Sequence, residues 1–337
     1  MTGDNLMDRF QELLTDGKRV AATSPMIDIH KCPSYFDQLR FKRAQLVCQK
    51  HFINISLASS AGLTILVQIE SILLPLLKTK RSRTVVDLYD RYSATGRYIL
   101  SLYESDFIDP ESEGWRHINI VRAMHQRVHK LMMEDQAVKQ MGSNVWVNQY
   151  DMALTQFAFV GLFLLRPDMC AAYRVTKEEL MDVVYYWRLI SYYFGIEDRF
   201  NLFVYHEHFD KQLDYLAIVF KHIVELLNGP RNEVGLRMAK GISLAFEEFS
   251  TESSFNILDH WWSPYLSLSG QKELSPYTLA ERLKLVLFLL YSRVFFRLPP
   301  LSALMNRLYK RKFLKFCASG DEIKLKLGKK YKDLVFE

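Results

Sequence analysis

The chain predicts an all-α protein, and three observations carry that expectation. Its ten prolines fall at Pro25, Pro33, Pro75, Pro110, Pro167, Pro230, Pro264, Pro276 and the pair Pro299-Pro300. Between them run proline-free stretches in which Leu, Met, Ala, Tyr and Phe recur at three- and four-residue spacing among charged residues. Proline lacks the backbone N–H and collides with the preceding helical turn, so this distribution outlines helices. No run of strict apolar–polar alternation bounded by tight-turn residues offers a β-hairpin.

Taken in order, the first helices are expected at 6–14 and 35–50, the second beginning just beyond Pro33. A long apolar helix follows at 52–77. Its Asn54, Ser56, Ser59, Ser60, Gln68, Glu70 and Pro75 make it too polar for lipid, so it reads as a buried helix rather than a membrane span. A helix at 85–103 runs into the turn-rich Asp109-Pro110-Glu111-Ser112-Glu113-Gly114, which reads as a loop before a helix at 119–139. The 145–165 helix stops at Arg166-Pro167-Asp168. Helices at 177–194 and 199–227 follow, the latter ended by Asn228-Gly229-Pro230. The remaining segments are 233–248, 254–263, 277–297 and, beyond Pro299-Pro300, 301–316. No repeat, low-complexity tract or Ser/Gly linker divides the chain. The organisation expected is an N-terminal extension at 1–33, one helical domain at 34–281, and a basic amphipathic helical extension at 282–337 packed on that domain.

The 337 residues are 49% hydrophobic and 13% aromatic, too apolar for disorder and enough for a large core. The formal charge of +6 is unevenly spread. Between Arg282 and Lys332 fourteen Lys/Arg face only Asp321 and Glu322, a local +12 that leaves about −6 elsewhere. There Arg293, Arg297, Arg307, Lys310, Arg311, Lys312 and Lys315 alternate with Phe295, Phe296, Leu304, Leu308, Tyr309 and Phe313. Such a segment either lies on an anionic membrane or packs as a charged helix on the body. No recognised nucleic-acid module accompanies it, so nucleic acid is not an expected partner. Cys32, Cys48, Cys170 and Cys317 are scattered without a CxxC pair, as in a reduced, cytosolic-facing protein. The opening residues lack a signal peptide's basic and apolar regions, so secretion is not expected.

The usual signatures of serine hydrolases, dinucleotide binders and P-loop proteins are missing from the sequence. His125 and His129 have zinc-peptidase spacing, but Gln126 stands where that chemistry needs a glutamate base. His206-Glu207-His208 reads as surface structure with its histidines on different helix faces. The stretch from Arg91 to Asn201 is more informative, because it sets polar groups into apolar helical sequence, a pattern that suits a lined pocket. His125 borders the apolar face of Val121, Met124 and Val128, the setting of either a hydrogen-bonded core histidine or a haem-iron ligand. Arg91 and Thr95, four apart, put a guanidinium and a hydroxyl on one helix face. Glu70 interrupts an uncharged run. Burial there would raise its pKa toward that of a general base, whereas reaching the surface would leave it a solvated charge.

Asn148-Gln149-Tyr150-Asp151-Met152-Ala153-Leu154-Thr155, then Tyr186-Trp187-Arg188 and Phe194-Gly195-Ile196, resemble the rubber oxygenase (latex clearing protein) catalytic domain. The endoplasmic-reticulum-bound oxygenase of mycophenolic acid biosynthesis shares that domain, and Gly114-Trp115 followed by Val121-Arg122-x-x-His125 is similar to it as well. The resemblance is good from about Phe36 to Asn201 and weak in the C-terminal third. It implies a globin-like helical core, with additional N- and C-terminal helices, holding haem b. His125 would match the proximal iron ligand. Arg91 and Thr95 would match the distal Arg-x-x-x-Thr pair beside dioxygen, Thr155 would approach the haem pocket, and Arg188 would partner a propionate. Glu70 would stand for the glutamate base that removes an allylic proton on the way to oxidative C=C cleavage. The resemblance thus implies a haem b-dependent oxygenase of a hydrophobic substrate, isoprenoids included, in the cytoplasm or on the cytosolic face of a membrane such as the endoplasmic reticulum. The alternative is a haem-binding sensor or carrier without turnover, or a helical interaction protein. One position departs from the family: Ala94 replaces the lysine before the distal threonine, so rubber itself is not an implied substrate.

Overall fold

The computed structural model describes residues 5–21, 28–136, 145–229, 232–250, 254–266 and 278–336. These form fourteen α-helices, with two isolated β-bridges and no strand among the described residues. They are α1 (Leu6–Thr15), α2 (Gln38–Lys50), α3 (Phe52–Leu66), α4 (Glu70–Lys78), α5 (Val85–Glu104), α6 (Glu113–Glu134) and α7 (Gln149–Leu165). The series continues with α8 (Lys177–Tyr193), α9 (Phe209–Leu227), α10 (Glu233–Ala245), α11 (Phe255–Trp262), α12 (Leu279–Phe295), α13 (Pro299–Ala318) and α14 (Gly320–Lys330). Side-chain caps set many of the starts. Asn5, Ser112 and Asn232 cap α1, α6 and α10, and Thr176/Glu179 and Thr278/Glu281 close capping boxes on α8 and α12.

Four expectations need correcting. The single helix at 52–77 is two, α3 and α4, bent by 86° at residues 67–69. α10 seats against that break: a Cβ on Gly235 would lie 2.8 Å from the Gln68 Cα and 2.9 Å from the Val67 carbonyl. The 109–114 loop contains a helix start, because the Ser112 hydroxyl accepts from the Trp115 N–H. Residues 199–208 are turns rather than the first part of α9. There the Gln212 side chain accepts from the Tyr205 N–H and donates to the Leu202 carbonyl, while Asn201 donates to the Arg188 carbonyl. Finally, α14 lies within the helical extension expected at 282–337 but was not delimited as a helix of its own, although Ile323 and Leu327 bury one face of it. The expected helix end at 137–139, together with Pro25, Pro230, Pro276 and Tyr277, lies outside the described residues.

The chain divides into two compact units, neither continuous in sequence. The first comprises Met1–Gln49, Tyr98–Phe157 and Thr176–His222; the second comprises Lys50–Arg97, Ala158–Val175 and Ile223–Glu337. The first has an aromatic core in which Phe41 stacks on Tyr186 and Phe107 meets Phe41, Tyr186 and Tyr193 edge-on. Gln149, fully buried, ties this unit together: its amide donates to the Ala21 and Gly195 carbonyls and its oxygen accepts from the Glu197 N–H. Gly195 has a φ of 95°, and that left-handed turn ends α8.

In the second unit the polar residues of α3 are neutralised locally. Ser56, Ser59 and Ser60 donate to carbonyls one turn back, Ser59 is also within reach of the Phe159 carbonyl, and Asn54 donates to the Cys170 carbonyl. With its hydrogen bonds made internally, this apolar helix is a core element, as expected. Among the described residues no single helix is long and apolar enough to cross a membrane, though the bent α3–α4 pair passes by length and composition.

Candidate active site

His125 sits midway along α6, in the first unit. The inward arc of this helix is sealed at its ends, where Ile118 and Met132 are inaccessible to solvent. In the middle turns of the same arc Arg122, His125, Val128 and His129 are only half-buried. His125 is thus a half-buried imidazole on a rigid helix, between two buried turns. His129 is engaged differently, with its Nδ1 2.6 Å from the Trp146 carbonyl. No cluster of three or more His, Cys, Asp or Glu is poised for a metal among the described residues.

Arg122, one turn before His125, has a distinct character in the fold. Its Nη1 donates to the Tyr193 carbonyl at 3.1 Å, and burial pulls its pKa below the ordinary guanidinium value. A guanidinium desolvated in this way is a ready donor for an anionic group. The sequence signal was its i, i+3 spacing from His125 on the same face.

Thr155 and Arg188 also belong to the first unit. The Thr155 hydroxyl bonds back to the Asp151 carbonyl at 2.7 Å within α7. Arg188, nearly buried, is already committed: it pairs with Asp198 at 2.5 Å, lies over the Tyr35 ring at 3.5 Å and donates to His206 Nδ1 at 2.7 Å. Its geometry is that of an internal tie, so the expected propionate role would require a change of partners.

His206 corrects another expectation. It lies in a turn rather than a helix, and it is 8% exposed rather than a surface residue. Desolvation, then the neighbouring Arg188 charge, lowers its pKa to about 4. The unfolded chain takes up this proton near pH 6.5, whereas the folded protein resists it down to about pH 4. Between those values the unfolded state binds more protons, so stability falls as pH falls, by up to about 3 kcal/mol. Urea denaturation at pH 7 and pH 5 should show the loss, and His206→Gln should flatten it. An equally steep decline in the variant would assign the effect to other groups.

Arg91, Thr95 and Glu70 belong to the second unit. Arg91 and Thr95 share one face of α5, as expected from their spacing. Thr95 donates to the Arg91 carbonyl at 3.0 Å, and Arg91 donates to the Thr79 hydroxyl at 3.0 Å and the Arg81 carbonyl at 3.4 Å. These partners are neutral, and burial lowers the Arg91 pKa from its ordinary value. Glu70 is exposed in the first turn of α4, where its charge suits the helix N-terminus. The burial that would have tuned it as a base is therefore missing.

Comparison with known proteins agrees with the sequence resemblance. Residues 59–215 match the family described as ER-bound oxygenase mpaB/B'/Rubber oxygenase, catalytic domain. No curated protein sequence matches. The solved structure of latex clearing protein LCP in the closed state is similar, with a TM-score of 0.56 and 16% identity over 93% of this chain and 87% of that one. At that identity the likeness is one of fold.

Proposed function

We propose, from the match of residues 59–215 to the family of the ER-bound oxygenases mpaB/B' and rubber oxygenase, that this oxygenase uses haem b and dioxygen on a hydrophobic substrate of the isoprenoid class. The observation that carries the haem reading is the half-open arc of α6 around His125. A haem needs one protein imidazole on a rigid element with space on its accessible side. A structural zinc would need four protein ligands and a catalytic one three. His125, half-buried on α6, offers the imidazole of the first requirement.

Bound haem would supply dioxygen activation. His125 would hold the group from α6, and the desolvated Arg122 guanidinium would offer a donor to a carboxylate on the same helix face. Arg91 and Thr95 would serve as donors wherever negative charge develops on oxygen, a role that needs their present bonds to Thr79 and Arg81 to be exchanged. Thr155 borders the pocket in this reading. Glu70, the family-derived base, is exposed in the first turn of α4 and would have to be brought to the substrate to accept the allylic proton ahead of C=C cleavage. We place the enzyme in the cytoplasm or on the cytosolic face of a membrane such as the endoplasmic reticulum, within reach of a lipophilic substrate.

The test is a visible spectrum with a pyridine haemochrome assay on purified protein, followed by dioxygen uptake with isoprenoid substrates. A stoichiometric Soret band and substrate-dependent uptake are expected. Well-folded protein that takes up no haem after exposure to haemin would overturn the proposal.

A further inference from the structure

α12 exposes the face a soluble helix normally buries. Leu279, Leu283, Val286, Leu287, Leu290 and Val294 are each between 51% and 83% exposed. At 3.6 residues per turn they form one stripe about 100° wide. The opposite face carries the helix's contacts: Leu285 and Ser292 are buried, and Phe288 packs on Trp261 at 4.7 Å. The stripe is thus the outward side of a helix already seated in its unit.

Charge defines what covers it. On the helical wheel Arg282 and Arg293 flank one edge of the stripe, Lys284 lies beyond the other, and Arg297 follows at its C-terminal end, all four exposed. The one acid of the helix, Glu281, is turned to its N-terminus, where it caps Thr278 and reaches Ser254 and Asn256. An apolar strip with basic shoulders and no exposed acid on the helix matches the boundary between anionic headgroups and acyl chains. The apolar residues involved are not those that stood out in the sequence. Phe296 and Phe313, which alternate there with the basic residues, are core side chains 3% and 6% exposed.

We propose that α12 is a membrane-docking surface, lying in the plane of an anionic bilayer with its Leu/Val stripe among the acyl chains and its arginines at the headgroups. The helix does not meet the length and hydropathy needed to span, so it would lie at the interface rather than cross. This surface is independent of the haem reading, and either can stand without the other.

The test is flotation of the full chain with phosphatidylcholine vesicles, alone or containing about 30 mol% phosphatidylserine, as anionic leaflets do. Binding to the anionic vesicles is expected, weakened by salt. The variant Leu283→Gln/Leu287→Gln/Leu290→Gln should partition about tenfold more weakly or worse, its fold intact because these side chains meet solvent. Arg282→Gln/Lys284→Gln/Arg293→Gln should lose the preference for anionic lipid. Leu287→Trp, a probe set in the stripe, should be quenched by brominated acyl chains. No binding by the native chain, undiminished binding by the leucine variant, or no quenching would each overturn the proposal. So would a dimer of the native chain that the leucine variant renders monomeric, which would make a second copy the occupant.

Discussion

On the haem reading proposed above, His125→Ala should give a folded protein without a Soret band, while His129→Ala keeps both. The two histidines lie one turn apart on α6 but differ in their setting. His129 is bonded to the Trp146 carbonyl, so its ring already serves the fold. His125 stands in the partly open middle of the inward arc, between closed ends at Ile118 and Met132. Removing a first ligand should weaken retention more than removing its supporting groups, which alone costs about 10–100-fold. A loss beyond about 100-fold is expected, read as haem content after gel filtration. Added imidazole should restore the band by occupying the space left by the side chain, a rescue that a purely structural histidine would not show. Full haem content and an unshifted spectrum in His125→Ala would sink the assignment and leave the family's oxygenase chemistry in need of another centre.

Gly62→Ala should be among the most destabilising single-methyl additions in this protein. Gly62 lies within α3, where helix propensity alone would favour alanine by about 1 kcal/mol. Packing reverses that preference. A Cβ there would fall 1.9 Å from the Ala158 carbonyl oxygen, 2.7 Å from its carbon and 2.8 Å from its Cα. These are backbone atoms of α7, which cannot swing aside, so one helix must move away from the other. Overpacking of this kind costs about 1–3 kcal/mol and more where backbone is displaced. Gly241 provides the control. Its nearest obstructions are side-chain ends, the Phe336 ring tip at 2.2 Å and the Leu88 Cδ1 at 2.8 Å, which can give way with less displacement than a helix backbone. Thermal or urea denaturation should therefore rank Gly62→Ala well below Gly241→Ala. The reverse order would mean that α3 and α7 are not in backbone contact.

Helix-forming information here is local, which is why so much of the architecture is legible without coordinates. The 85–103 helix is found at Val85–Glu104 and the 177–194 helix at Lys177–Tyr193, because apolar spacing and side-chain caps act over one or two turns. Arg91 and Thr95 share a face for the same reason: four residues is close to one turn. The setting of His125 was legible in part, since an imidazole beside Val121 and Val128 is a pattern within one helix, but Met124, expected on the same apolar face, is exposed.

Distant residues decided the rest. No composition marks the 86° bend after α3, because the break is occupied by Gly235 from a helix far along the chain. Residues 199–208 could have extended α9, but buried side-chain hydrogen bonds from Gln212 and Asn201 hold them in turns. Arg188 reads as an available cation in sequence, yet Asp198, Tyr35 and His206 share it in the fold. Glu70 was equally compatible with burial or exposure until the bend placed it in an exposed first turn. Periodicity and capping are properties of a segment and its neighbours, so the sequence alone determined where most helices lie and which residues share a face. Which face is covered, which charge is already paired and where a helix breaks depend on residues that no helical period relates, from Asp198 beside Arg188 to Gly235 against Gln68, and only the tertiary structure brings those into contact.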